Sequence, residues 1–285
     1  MTGLRKESES MTEYLGIDVA KWQGTIDWAK VKKAGVKLAI LKVTQKNNTV
    51  EPSFERNYAG CKVQGIPGGC YRYVYAKTVS EALREARSVA TVLKGRDIPC
   101  GVWLDMEDQT LLRCGKSTLA AVIEAERKVL EAAGYTVGIY CNQYWYNSVL
   151  PSHSINLPWW IAKFGSNNGK KQNHPVIKSG QVLYAWQYTS KGRVNGIQGA
   201  VDLDAVYVAP PGTTKDNSTK PTLRKGDRGE AVKELQRLLN KHDYSLQVDG
   251  IWGVQTDSAV RGFQYRAGLV VDGIVGPKTW GKLME

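Results

Sequence analysis

Histidine is scarce in this chain. The 285 residues hold three, His153, His174 and His242, and none stands in an H-E-x-x-H or comparable spacing. Without such a cluster a zinc site is not expected, and Ser–His or Cys–His nucleophilic chemistry loses its usual base. No metal and no cofactor is therefore expected, and acid–base work falls to carboxylates. The five cysteines (Cys61, Cys70, Cys100, Cys114, Cys141) are odd in number, lie in the first half and form no C-x-x-C pair. They read as reduced, mostly buried thiols rather than a disulfide framework. No apolar run approaches the ~18–20 residues of a membrane span. The opening MTGLRKESESMTEYLG also lacks an apolar segment of signal-peptide type. A soluble chain, made in the cytoplasm and not held in a membrane, is the expectation.

Acidic residues are in deficit too: 27 against 39 Lys and Arg, a formal charge of +12. The excess is spread over both parts of the chain, and no Lys/Arg block resembles a nucleic-acid patch. A basic surface favours polyanions such as nucleic acid, anionic lipid or an anionic cell wall, but with the positives scattered a solvated basic surface is the simpler reading. Phenylalanine is nearly absent, with 3 copies, whereas tryptophan (9) and tyrosine (14) are plentiful. The 42% hydrophobic content is ample for a core and excludes disorder.

One composition break divides the chain. Ala209–Thr222 is polar, holds three prolines and has no apolar period, so 210–222 reads as a linker. Residues 1–10 read as a flexible extension, 11–209 as a large domain and 223–285 as a small one. In the large domain eight strand-like runs are expected: Tyr14–Ala20, Leu38–Thr44, Gly69–Tyr75, Gly101–Glu107, Val137–Asn142, Trp159–Phe164, Tyr184–Thr189 and Val201–Tyr207. Helical periods fill the intervals between the first five, over Ile26–Ala34, Ser53–Val63, Ser80–Leu93 and Ser117–Ala133. That alternation predicts an α/β class fold, a parallel barrel of the TIM type. The last intervals are Gly-rich or too short for a helical crossover. The final strands should therefore lack helices, with some antiparallel pairing. In the small domain Asp249-Gly-Ile-Trp-Gly-Val-Gln-Thr256 recurs as Asp272-Gly-Ile-Val-Gly-Pro-Lys-Thr279. Each copy predicts a turn, an inward apolar residue and a threonine cap within a small all-α bundle.

Alternation along the strands places the candidate chemistry. Val102, Leu104 and Met106 share one face, while Trp103, Asp105 and Glu107 share the other. With the apolar face toward the helices, Asp105 and Glu107 point into the barrel at the end where such folds build active sites. The same logic turns Asp18, Asp202 and Asp204 inward. Two carboxylates in unlike environments are what glycoside hydrolysis requires, one keeping a proton and one staying charged. An i,i+2 pair on a strand, with Cα atoms roughly 6–7 Å apart, is compatible with both retaining and inverting geometries. Aromatic side chains with polar edges suit sugar rings. Tyr71, Tyr73 and Tyr75 on the third strand, Tyr140 on the fifth, and Trp186 and Tyr188 on the seventh are the candidate sugar contacts, with Asp204 beside them.

Several dispersed motifs occur in order: Gly16-Ile-Asp18-Val, Asp27-Trp28, Lys42-Val-Thr44, Leu104-Asp-Met-Glu107, Trp186-Gln-Tyr-Thr189 and Gly199-Ala-Val-Asp202-Leu-Asp204. Over residues 14–207 the chain resembles the glycoside hydrolase family 25 muramidases, lysozymes of the kind found in phage endolysins and bacterial autolysins. Tyr71-Arg-Tyr73 departs from the Tyr-His-Phe that the family often has there. The resemblance implies cleavage of the β-1,4 bond from N-acetylmuramic acid to N-acetylglucosamine in peptidoglycan glycan strands. It implies Glu107 as acid/base and Asp105 as its charged companion, with Asp18 and Asp202 completing the set. Asp105 would act either as nucleophile or by orienting the substrate's own acetamido group. Leu223-Arg-Lys-Gly226, Val232-x-x-Leu235-Gln236, Phe263-Gln264 and Thr279-Trp280 resemble the helical peptidoglycan-binding domain. That implies a wall-targeting module, in an enzyme that acts on the bacterial wall during host lysis or outside the cell.

Overall fold

The computed structural model describes residues 12–209 and 220–284. The expected N-terminal extension, 1–10, and most of the expected linker, 210–219, lie outside the described residues. The chain separates into two compact units at residues 212/213.

In the first unit eight strands close a barrel in chain order. They are β1 (Tyr14–Val19), β2 (Leu38–Lys42), β3 (Gly68–Tyr73), β4 (Val102–Asp105), β5 (Val137–Asn142), β6 (Trp159–Ala162), β7 (Leu183–Gly192) and β8 (Val201–Val206). From β1 to β7 every neighbouring pair is parallel, and β8 runs antiparallel to both β7 and β1. The physical reason is the eight-residue connection between β7 and β8, too short to carry the chain back for a parallel return. Four helices wrap the first five strands: α1 (Trp28–Lys33), α2 (Phe54–Val63), α3 (Val79–Leu93) and α4 (Lys116–Ala132). The intervals after β5 carry only short helical turns.

The strands alternate as their sequences demand. Ile17, Val19, Val102, Leu104 and Met106 join the layer between sheet and helices, together with Phe54, Val89 and Leu119. Tyr14, Leu38, Ile40, Trp103, Tyr140 and Trp160 fill the barrel interior. There Trp103 meets Trp160 edge-on, with ring centroids 5.9 Å apart. Each fully buried large side chain contributes about 1.5–3 kcal/mol, so these rings make a stable floor beneath the mouth. Gly138 of β5 leaves the space that the Trp103 ring occupies, since a Cβ there would lie 2.3 Å from it.

Helix starts are set locally. Asp27 accepts the Lys30 N–H at 3.1 Å to begin α1. Thr78 and Glu81 form a reciprocal cap on α3. Arg72, the departure from the family pattern, faces outward and is fully buried. It pairs with Glu85 of α3 at 3.0 Å and donates to Thr44 Oγ1 at 2.7 Å and Asn48 Oδ1 at 2.7 Å. It therefore fixes the loop after β2 to the outer layer and does not face a sugar. All five cysteines are free, and four are buried.

The second unit packs α5 (Glu230–Lys241), α6 (Val254–Arg266) and α7 (Pro277–Leu283) around Val232, Leu235, Trp252, Phe263 and Trp280. The internal repeat is a repeated hydrogen-bond unit. Gln236 of α5 donates to Asp249 Oδ1 at 2.8 Å and accepts from the Gly250 N–H at 2.9 Å. Gln264 of α6 does the same with Asp272 and Gly273, at 2.9 Å each. Trp252 and Val275 are the inward apolar residues of the repeats, whereas Ile251 is exposed. The expected threonine cap is corrected. Thr256 and Thr279 sit inside their helices and join the glutamine network, because Gly253 and Gly276 occupy the cap positions.

Candidate active site

The closed topology delivers the acidic residues to one end. Asp18 lies near the C-terminal end of β1 and Asp105 ends β4, with Glu107 two residues beyond it. Because β8 runs antiparallel, its N-terminal end meets the C-terminal ends of its neighbours, and register places Asp202 opposite Asp18. Register also sets Asp105 between Tyr73 and Tyr140. A cavity of about 370 Å³ opens there, lined by Asp18, Asp105, Glu107 and Asp202 with Tyr71, Tyr73 and Tyr140. Lys42, Asn142, Trp160, Phe164, Gln187 and Ser190 complete much of the wall. A second hollow of about 360 Å³, lined by Tyr58, Cys61, Ile66, Asp97 and Pro99, borders the start of β3 and lacks a facing pair of acids.

Burial dominates the electrostatics. It raises the carboxyl of Asp18 well above the usual range, helped by repulsion from Asp202 and Asp204 and opposed by a hydrogen bond from Gln187. Burial, then the charge of Glu107, raises Asp105, while the Lys42 ammonium pulls the other way. Glu107 is raised by burial and then by Asp202. Burial lifts Asp202 to about 6. So many desolvated acids resist ionising together, which favours retention of protons in the cavity. Glu107 is half-buried while Asp105 is 4% exposed, so the reachable member of the pair is Glu107.

A short relay orders one wall. The Tyr140 hydroxyl donates to Gln187 Oε1 at 2.8 Å, and Gln187 Nε2 donates to Asp18 Oδ2 at 2.7 Å. Neither Gln187 nor Lys42 was among the expected contacts. A signal was present for Gln187, a polar side chain buried between two aromatic residues on its strand.

The structure places four of the expected contacts outside the cavity lining. Trp186 and Tyr188 turn outward, are 4% and 7% exposed, and belong to the layer outside the barrel. Trp186 donates to the Lys163 carbonyl at 2.8 Å. It is Ala185 and Gln187, alternating with them along β7, that face in. Asp204 is fully buried below the cavity, accepting from Trp160 Nε1 at 2.7 Å. Tyr75 lies beyond β3 and packs against Tyr73, with ring centroids 4.9 Å apart, outside the lining.

The model for the glycosyl hydrolases family 25 matches residues 17–197, and that for a peptidoglycan binding domain matches 228–283. The chain belongs to glycosyl hydrolase family 25. This family 25 chain is 30% identical over 281 residues to an autolytic lysozyme of Clostridium acetobutylicum, an alignment covering 95% of it and 78% of the relative. It superposes on a bacterial lysozyme from Streptomyces coelicolor with a TM-score of 0.59 and 27% identity, covering 70% of this chain and 94% of that one. The catalytic domain of an endolysin from a Listeria monocytogenes phage shares the fold, with a TM-score of 0.60 at 24% identity over 69% of this chain and 94% of that one. The family 25 enzyme is thus a glycosidase, and its mixed barrel is the family's fold.

Asp204 offers a test of the buried-acid account. Its carboxyl is raised well above the usual range, by burial first, against the opposing Trp160 hydrogen bond. A carboxyl raised in the folded state binds more protons folded than unfolded. Stability is therefore full below the unfolded value, about 3.9, and is lost as pH climbs through the folded one. Asp204→Asn keeps the acceptor for Trp160 and removes the titration. Its melting temperature should exceed the wild type's at pH 7 to 8, and the gain should vanish near pH 4. A lower melting temperature at neutral pH would contradict the account.

Proposed function

We propose that this enzyme hydrolyses peptidoglycan at the β-1,4 bond from N-acetylmuramic acid to N-acetylglucosamine. The supporting observation is the pairing, at the cavity mouth, of a reachable acid, Glu107, with an enclosed one, Asp105. Glu107 delivers its proton to the leaving oxygen. Burial and the neighbouring Asp202 keep that proton on the carboxyl at pH values where an exposed glutamate has lost it. Asp105 faces the developing positive charge at the sugar carbon. Lys42 favours its ionised form, and protonation of Glu107 removes the adjacent repulsion. An enclosed carboxylate next to Tyr140 suits the orienting of a substrate acetamido group, so the substrate-assisted route is preferred over direct attack by Asp105. Asp18 and Asp202 complete the acidic set, while Tyr71, Tyr73 and Tyr140 bound the sugar.

In this reading residues 11–209 carry catalysis, 210–222 act as a tether and 223–285 bind the wall. Tethering raises the local concentration of catalyst on an insoluble polymer, and the +12 charge adds attraction to an anionic surface. The substrate is the glycan strand of a bacterial wall, not nucleic acid or membrane lipid.

Glu107→Gln removes the proton donor at constant shape. Release of reducing sugar from purified walls should fall at least ~10²-fold, and near-wild-type lysis would refute the role. Deleting 210–285 should weaken co-sedimentation with walls yet leave some cleavage of solubilised glycan. Undiminished pelleting would refute the targeting role.

A further inference from the structure

Of nine tryptophans, eight are no more than 6% exposed, whereas Trp22 is 78% exposed. Trp22 lies on the 3-10 turn Lys21–Gln23 directly after β1, four residues past Asp18. The turn is pinned from several sides. The Lys21 N–H donates to buried Glu51 at 2.9 Å, the Ala20 N–H donates to Gln23 Oε1 at 2.9 Å, and Arg56 donates to the Gly24 carbonyl at 2.7 Å. An indole is thus held outward on a backbone already ordered, at little further entropy cost to a ligand. The Lys21 ammonium lies 4.7 Å from the ring centroid.

Lone exposed apolar residues are ordinary, but Trp22 has a counterpart. Tyr144, 63% exposed, lies two residues past the end of β5. In a closed barrel of eight strands in chain order, β1 and β5 are four strands apart in either direction. The segments that carry the two rings therefore leave the barrel on opposite sides, at the strand ends where the cavity with Asp105 and Glu107 opens. Neither ring lines that cavity.

We infer that Trp22 and Tyr144 are outer sugar platforms, and that a glycan strand lies across the mouth from one to the other with its scissile bond over Glu107. The inference rests on the proposed substrate and adds binding positions beyond the cleavage site. Each ring supplies an apolar face with a polar edge, the chemistry that a pyranose ring and its hydroxyls require. Lys21 adds a cation beside Trp22, suited to a carboxylate carried on the same strand.

The test compares Trp22→Ala, Tyr144→Ala and the double variant of the full chain on two substrates. These are long glycan strands freed of peptide and a tetrasaccharide muropeptide. KM for long strands should rise about tenfold for each single variant, equivalent to ~1.4 kcal/mol. The double variant should approach a hundredfold, as independent sites add. The tetrasaccharide should respond much less, and Trp22→Phe and Tyr144→Phe should restore most of the loss. In a second measurement, on the Glu107→Gln protein, acrylamide quenching reports the exposed indole, and long strands should shield it. Wild-type KM for long strands in the double variant, or equal losses on both substrates, overturns the track alone. Wild-type protein that releases no reducing ends, with no shielding of the indole, overturns the track and the substrate together.

Discussion

Four acidic side chains sharing one small cavity, with a fifth, Asp204, buried beneath them, is the constraint on which the rest of this barrel depends. Each buried charge costs several kcal/mol when unpaired, and among the described residues only Lys42 brings a cation to the cavity wall. The protein meets the deficit with protons and neutral donors. Trp160 and Gln187 each present an N–H to a carboxylate, at 2.7 Å in both cases. The remaining imbalance appears as carboxyl groups raised by burial. A proton retained near neutral pH is the property that an acid catalyst of glycoside hydrolysis needs. The cost in stability and the catalytic capacity have one origin.

The fold makes that crowding possible. Seven parallel strands would bring Asp18 and Asp105 to one rim, but Asp202 arrives there because β8 is reversed and starts where its neighbours end. The aromatic floor of Trp103, Tyr140 and Trp160 keeps the acids at the mouth and the interior closed below them. Outside the barrel, Arg72 and Glu85 pair in the outer layer, away from the chemistry. The second unit repeats a different economy, with one glutamine serving each Asp-Gly turn.

Much of this was legible in the residues. Period-two alternation set Asp105 and Glu107 against Val102, Leu104 and Met106, and the short β7–β8 connection foretold the reversal. On the seventh strand the aromatic rings of Trp186 and Tyr188 are the louder signal, yet they mark the outward face. Gln187 between Trp186 and Tyr188 marks the inward face, but register shifts along β7 blur the count. Tyr75 was placed too far along β3, which ends at Tyr73. Asp204 shares the inward face of Asp202 yet sits one pleat deeper, a difference of depth that face assignment does not carry. Lys42 became meaningful only when closure of the barrel brought it beside Asp105.

The central claim is that a protonated Glu107 opens a sugar–sugar bond in peptidoglycan. Mass spectrometry of the soluble fragments released from purified walls tests it most directly. The account predicts disaccharide-peptides whose new reducing end is N-acetylmuramic acid, with no new free amino groups. Fragments ending in reducing N-acetylglucosamine, or peptides freed with intact glycan, would contradict it.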